Sequence, residues 1–144
     1  MIEDKATLAV ETGEGTFGTS IRMGPYSLTA DEPVSAGGLG AGPNPYDLLM
    51  AALAACTTMT VRLYADRKGM ALERVEARVQ QVARRSAGAA QDVFERELEL
   101  VGALTDDERT RLLTIAERCP VSRTLAGGSQ IRTYLAGGLE SEGD

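Results

Sequence analysis

The sequence predicts an α+β fold, in which strands and helices occupy separate stretches of the chain. Alternating apolar residues predict strands before residue 30, between residues 72 and 101 and near the C-terminus. Helical spacing predicts a long helix after the first strands and a shorter one after residue 105. This order favours antiparallel sheets over a parallel nucleotide-binding sheet, in which strands and helices alternate regularly. The 144 residues fit one domain spanning 1–144.

The first strands are followed by a long loop. Apolar residues alternate from Phe17 to Met23 and from Tyr26 to Ala30, on either side of a Gly24-Pro25 turn. The next stretch, from Asp31 to Pro45, is rich in Gly and Pro. It is either a solvated connection or a mobile loop beside a site, since long loops in compact domains are often functional.

A long helix is predicted over residues 44–68. Asn44 is a preferred N-cap, Pro45 suits the first helical position, and Gly69 is suited to a left-handed C-cap. Leucines and other apolar residues recur at helical spacing with alanines between them, so we expect burial on most sides. Cys56 lies near the middle of this helix. Such a helix is hard to cover with one chain's own strands, which predicts an obligate homodimer.

A hairpin and a second helix follow. Residues 72–82 alternate with a mainly basic polar face and residues 93–101 with an acidic one, which predicts cross-strand charge pairs on either side of a loop at 83–92. Thr105 and Glu108 form a capping box that begins the second helix.

The C-terminal part contains the second cysteine. Cys-Pro-Val-Ser is typical of a new helical turn with Cys119 at the N-cap and Pro120 at the first position. Backbone N–H groups and the helix dipole favour a thiolate there. The pattern of residues 130–135 predicts a last strand, and the Gly-rich, acidic composition of residues 136–144 predicts a frayed tail.

Composition excludes several classes of function. The chain has no His, so Ser-His-Asp catalysis, Cys-His catalysis and His metal sites are excluded. Its net charge of −6 argues against nucleic-acid binding. We see no apolar run close to the ~20 residues of a membrane span and no signal-peptide pattern at the N-terminus, so we expect a cytoplasmic protein without membrane contact.

Two cysteines are too few for a disulfide-stapled secreted scaffold and form no CxxC pair or zinc set. We therefore expect no metal or cofactor. A cysteine in the middle of a helix, such as Cys56, is commonly a small buried hydrophobe, and this structural interpretation stays open. The setting of Cys119 favours a reactive thiol.

The segment GPNPYDLLMAALAACT, residues 42–57, together with CPVSRTL, residues 119–125, resembles the OsmC/Ohr family of osmotically induced and organic hydroperoxide resistance proteins. Residues 31–33 and 64–69 resemble its OsmC-like branch. The resemblance extends from about Phe17 to Leu135. It implies an intertwined homodimer with antiparallel sheets and two long Cys-bearing helices at its centre.

The resemblance also implies a chemistry. Cys56 matches the peroxidatic thiolate, which attacks an organic hydroperoxide or H₂O₂ and becomes a sulfenic acid. Cys119 matches the resolving cysteine, which forms a disulfide that a dithiol then reduces. We accordingly expect Cys56 to be buried on the central helix and to face Cys119 closely enough to bond.

One departure from the family concerns activation of the first thiol. The family Glu that follows the Asn-Pro motif is Tyr46 here, and Asp47 lies one residue later, about 100° around the helix. Arg22 precedes Cys56 on a predicted strand, so we expect Arg22, oriented by Asp47, to activate Cys56. The alternatives are a redox-sensing or small-molecule-binding dimer without efficient turnover, thiol chemistry on another electrophile such as a thioester, and purely structural cysteines.

Overall fold

The computed structural model describes residues 6–138, and these form two small antiparallel sheets and three α-helices. The α+β prediction is confirmed. The elements are β1 (Thr7–Glu11), β2 (Thr19–Met23), β3 (Tyr26–Ala30), α1 (Pro45–Arg67), β4 (Leu72–Ala83), β5 (Val93–Gly102), α2 (Asp106–Glu117) and α3 (Pro120–Gly127).

These residues fall into two compact units. The first contains the described residues up to Ala54 together with Val79–Arg96, and the second contains Ala55–Arg78 together with the residues from Glu97 onward. The first unit therefore includes β1, β2 and β3, and the second includes α2, α3 and both cysteines.

The three-stranded sheet of the first unit has the order β1-β2-β3 and is antiparallel throughout. The tight turn between β2 and β3 uses Gly24 at a φ of 58°, a conformation that glycine adopts without steric cost. Strand β2 begins only at Thr19, so Phe17, which we expected in the strand, precedes it.

The loop after β3 is anchored by Asp31. This side chain is 3% exposed, and its carboxylate accepts hydrogen bonds from the backbone N–H groups of Glu32 at 2.8 Å and of Leu39 and Ala41 at 3.2 Å each. The loop thus differs from the solvated connection that its composition favours, because one buried carboxylate holds three of its backbone donors.

Helix α1 starts as predicted and ends at Arg67, one residue earlier than expected, with Gly69 at a φ of 64° just beyond it. The Asn44 side chain accepts from the Asp47 N–H at 2.8 Å, and the Asp47 side chain accepts from the Asn44 N–H at 3.0 Å. This reciprocal pair satisfies two of the backbone donors that a helix start leaves without partners.

The expectation that α1 is buried on most sides is wrong for the single chain. Within the second unit the buried residues of α1 form one stripe at spacing four, namely Thr57, Val61 and Ala65, whereas Met59 and Leu63 on another face are 69% and 51% exposed.

Helix α1 also corrects the expectation that no segment could cross a membrane. It has 23 residues and a mean hydropathy of 1.5 over its best window, which is long and apolar enough by length and composition. A core helix of a soluble protein meets the same two criteria, so this finding alone assigns no membrane location.

The core of the second unit lies between α1, β4 and α2. The capping box of Thr105 and Glu108 is confirmed, with the Glu108 N–H donating to Thr105 Oγ1 at 3.1 Å. The fully or nearly fully buried members of the core are Val61, Ala65, Leu72, Leu112 and Ala116.

The predicted last strand at 130–135 is wrong. The structure has only a single bridge residue there, Tyr134, and Ile131 is 86% exposed. The alternating pattern is present, but its apolar side chains are exposed among residues 6–138. Residues 136–138 form a turn, and the rest of the predicted tail, 139–144, lies outside the described residues.

Candidate functional site

Cys119 occupies the N-cap of α3, as the Cys-Pro sequence predicts. Its backbone is extended, with φ −61° and ψ 142°, and Pro120 fills the first helical position. The Ser122 N–H donates to Cys119 Sγ at 3.3 Å, and the Cys119 thiol donates to Ser122 Oγ at 3.1 Å. The side chain is completely buried, so these contacts replace water around the sulfur.

Helix α1 supplies the other side of this site. Thr57 Oγ1 lies 3.8 Å from Cys119 Sγ, and the Cys56 thiol is also a hydrogen-bond partner of Cys119. Neither cysteine forms a disulfide, so both are reduced thiols. The second unit thus brings together two residues that are separated by 63 positions in the sequence.

Cys56 is half-buried, so the expectation of full burial is wrong. It lies between the buried stripe of α1 and the exposed apolar face, because Cys56, Met59 and Leu63 follow one another at helical spacings of three and four. Cys56 is therefore the more accessible thiol of the pair.

The surroundings of Cys119 favour its ionised form. Burial, the largest single influence, raises the pKa of this thiol, but hydrogen bonds with the Ser122 hydroxyl and N–H, with Cys56 and with Thr57 together outweigh it. They lower the pKa from 9.0 to about 7. A substantial fraction of Cys119 is therefore thiolate at neutral pH, the form that acts as a nucleophile.

Arg22 and Asp47, the two remaining candidates from the sequence, are not in contact. Arg22 is exposed on β2, where it pairs with Leu8 and Ser27 in the sheet register. The Asp47 carboxylate is engaged with the Asn44 N–H through Oδ2.

Tyr46 has a partner that the sequence did not indicate. The Arg84 guanidinium stacks on the Tyr46 ring, 4.2 Å from its centroid, and Arg84 Nε donates to Gln81 Oε1 at 2.7 Å. Such a cation–π contact is attractive and fixes the plane of the guanidinium. Arg84 follows β4 directly, in a segment whose composition indicated only a loop, so no local signal could have paired it with Tyr46.

Two contacting thiols, one of them partly ionised at neutral pH, can be oxidised together to a disulfide. The contact between the thiols therefore supports sulfur chemistry directly. In the described part of the chain, no group of three or more His, Cys, Asp or Glu side chains could hold a metal ion.

Comparison with protein families gives one match. The family described as OsmC-like protein matches residues 37–133, which include α1 and both cysteines. No curated protein matches the chain.

Solved structures share the fold. An OsmC-like protein from Mycoplasma pneumoniae superposes with a TM-score of 0.71 at 20% identity, covering 88% of this chain and 90% of that one. An organic hydroperoxide resistance protein OsmC from Legionella pneumophila superposes with a TM-score of 0.65 at 22% identity, covering 88% of this chain and 92% of that one. The organic hydroperoxide resistance protein OhrB of Bacillus subtilis superposes with a TM-score of 0.58 at 22% identity, covering 85% of this chain and 90% of that one.

Proposed function

Because the chain belongs to the OsmC-like protein family, we propose that it is a thiol-dependent peroxidase that reduces organic hydroperoxides or H₂O₂ with Cys56 and Cys119. The observation that carries this proposal is the contact between the two thiols, one of which is stabilised as a thiolate. The substrate class is supported by the names of two structural relatives, both organic hydroperoxide resistance proteins.

In the first step the Cys56 thiolate attacks the terminal oxygen of the hydroperoxide. A sulfur–oxygen bond forms, the O–O bond breaks, and the alkoxide leaves and takes up a proton to become an alcohol, or water when the substrate is H₂O₂. Cys56 is thereby oxidised to a sulfenic acid. Its half-buried position leaves a path for the substrate that the fully buried Cys119 lacks.

In the second step the Cys119 thiolate attacks the sulfenic sulfur of Cys56. The disulfide forms, and hydroxide leaves and is protonated to water. A dithiol then reduces the disulfide and returns both thiols. The cycle requires no cofactor, because the two electrons for the peroxide come from the dithiol through sulfur alone.

Cys56 must lose its proton before it can attack, since a thiolate and not a thiol is the nucleophile. We assign this activation to Arg22, whose positive charge would stabilise the Cys56 thiolate. Asp47 would orient the guanidinium with Oδ1, since its Oδ2 accepts from the Asn44 N–H. An Arg22→Ala variant in which Cys56 is alkylated at an unchanged rate would contradict this assignment.

We propose that the active form is a cytoplasmic homodimer in which each chain is a single OsmC-like domain, residues 1–144. The face of α1 that carries Cys56, Met59 and Leu63 leaves large apolar side chains exposed in the single chain. A second copy would cover Met59 and Leu63, and a reducing compartment would keep both cysteines ready for oxidation.

The decisive test is steady-state consumption of cumene hydroperoxide and of H₂O₂ with dithiothreitol as the reductant. We expect turnover by the wild type and none above background by Cys56→Ser. Thr58→Ala is the matched control, because the Thr58 hydroxyl bonds only the Ala55 carbonyl of the same helix. An active Cys56→Ser variant, or an inactive wild type, would contradict the proposal.

A second candidate is a redox-sensing or small-molecule-binding dimer without efficient turnover. It is favoured by Tyr46, which stands where the family has Glu and lies under Arg84 instead of presenting a carboxylate. If this candidate is correct, the wild type is oxidised once but turns over slowly, and Tyr46→Glu increases turnover. If the peroxidase proposal is correct, Tyr46→Glu gives no such gain.

A further inference from the structure

We propose that Cys119 is the leaving group when the Cys56–Cys119 disulfide is reduced, so that the reductant attacks Cys56 and Ser122 stabilises the departing sulfur. This inference rests on the proposed function and concerns its reductive half. It gives the reaction a direction that the presence of two cysteines alone does not determine.

Access to the two sulfurs differs. Cys119 is completely buried beneath the start of α3, whereas Cys56 is half-buried beside the exposed face of α1. A thiolate must reach one sulfur of the disulfide along the line of the S–S bond, with the other sulfur leaving on the far side. Access therefore favours attack on Cys56 and departure of Cys119.

The hydrogen bonds favour the same direction. Two donors on Ser122 lie within reach of Cys119 Sγ: its backbone N–H at 3.3 Å and its hydroxyl oxygen at 3.1 Å. Once the sulfur carries a negative charge, the hydroxyl can rotate to donate to it. Thr57 Oγ1, at 3.8 Å, is a third hydrogen-bond partner of this sulfur. Charge on Cys119 is thus met by groups that the fold already holds in place.

The hydrogen-bond partners described for Cys119 are neutral groups. Helix α1 presents Thr57 and Cys56, and α3 presents Ser122. The charged residues closest in sequence, Arg118 and Arg123, are exposed. The lowered pKa of Cys119, about 7, agrees with a sulfur that leaves readily, because thiolates of lower pKa are better leaving groups.

The exchange balances without any further reactant. The first thiolate of a dithiol attacks Cys56 Sγ, a bond forms between these sulfurs, the protein S–S bond breaks, and its electron pair leaves on Cys119. The second thiolate of the dithiol then attacks its own bound sulfur and releases the Cys56 thiolate. The dithiol becomes a cyclic disulfide and loses two electrons, and its two protons pass to solvent or to the protein thiols.

The test starts from the disulfide form prepared with diamide, so that it does not depend on reaction with hydroperoxide. The oxidised wild type is mixed with an excess of a chromophoric monothiol, the reaction is quenched at early times with a fast alkylating agent, and the products are mapped by peptide mass spectrometry. We expect the monothiol on Cys56 and the alkyl group on Cys119. The reverse labelling would overturn the inference, and so would failure of diamide to form the disulfide.

Ser122→Ala tests the role of the hydroxyl. Loss of a hydrogen bond to a charged sulfur should raise the pKa of Cys119 by about one to two units, followed by thiolate absorbance in a Cys56→Ser background. Reduction of the disulfide by dithiothreitol should then slow by roughly 3–10-fold. Thr124→Ala, which removes an exposed hydroxyl from the same helix, should leave both quantities unchanged.

The outcomes separate this inference from the proposed function. If Ser122→Ala and Thr124→Ala are reduced at the same rate, Ser122 does not stabilise the leaving sulfur, whatever the peroxidase activity. If the labelling is as expected but hydroperoxides do not oxidise the protein, the direction of reduction stands and the peroxidase proposal fails.

Discussion

The stability of the reduced protein should increase with pH over the range in which Cys119 ionises. Folding lowers the pKa of this thiol from 9.0 to about 7, so between these values the unfolded chain binds a proton that the folded chain has released. The contribution of Cys119 is therefore fully present above about pH 9 and is lost as the pH falls through about 7.

The size of the effect follows from the two pKa values. One unit corresponds to about 1.4 kcal/mol, and the unfolded thiol begins to ionise itself near its own pKa. Between about pH 6 and about pH 9, Cys119 should add about 2 kcal/mol to the free energy of unfolding. This is a large fraction of the stability of a small domain.

Urea unfolding of two variants isolates the contribution of Cys119 to the free energy of unfolding. Cys56→Ser prevents disulfide formation and keeps a hydroxyl donor beside Cys119, and Cys56→Ser/Cys119→Ala removes the titrating thiol as well. Other groups titrate in both variants and cancel in the comparison. Between about pH 6 and about pH 9, the free energy of unfolding should rise by about 2 kcal/mol more in Cys56→Ser than in Cys56→Ser/Cys119→Ala. Equal pH dependence in the two variants would refute the reasoning about the Cys119 site.

Three further predictions concern the scaffold and the assembly. Asp31→Asn should lower the free energy of unfolding by about 2–4 kcal/mol in urea titration, because an amide cannot accept all three backbone N–H bonds of the loop. An effect below about 1 kcal/mol would contradict the anchoring role of Asp31. Gly102→Ala should lower the free energy of unfolding by about 2–4 kcal/mol in the same measurement. Gly102 has a φ of 147°, and the new methyl group would overlap the Ala71 carbonyl oxygen. An unchanged free energy of unfolding would show that the backbone can shift. Met59→Lys should shift light scattering from dimer to monomer without loss of helix in circular dichroism, and a variant that remains dimeric would place the interface elsewhere.

The parts of the fold that the sequence predicted are those specified by local signals. The start of α1 depends on Asn44, Pro45 and Asp47, all within one turn, and the start of α2 depends on a capping box. The N-cap position of Cys119 likewise follows from the proline after it. In these cases the residues that determine the structure are sequence neighbours, so the local pattern alone is enough to predict it.

The failures of prediction arise where distant residues decide. The alternation at 130–135 resembles a strand, but a strand needs a neighbour to pair with, and Ile131 is exposed in the part of the chain that the structure describes. Asp31 holds backbone donors up to ten residues away, and Arg84 stacks on a tyrosine 38 positions earlier. Such contacts leave no periodic trace in the sequence.

The candidate site shows the same division. The composition left only sulfur chemistry, and the setting of Cys119 indicated a reactive thiol, but the role of Ser122 and Thr57 as its hydrogen-bond partners appears only in three dimensions. Cys56 was expected to be buried because the alanine-rich helix looked apolar on most sides. It is half-buried because the single chain covers only one stripe of that helix.

The most direct test of the account is a titration of the reduced protein with cumene hydroperoxide, followed by free-thiol counting and peptide mass spectrometry. We predict that one equivalent per chain removes both thiols and links Cys56 to Cys119. Cys119→Ser should stop at a sulfenic acid on Cys56, and Cys56→Ser should not react. Two intact thiols in the wild type after excess hydroperoxide would contradict the account.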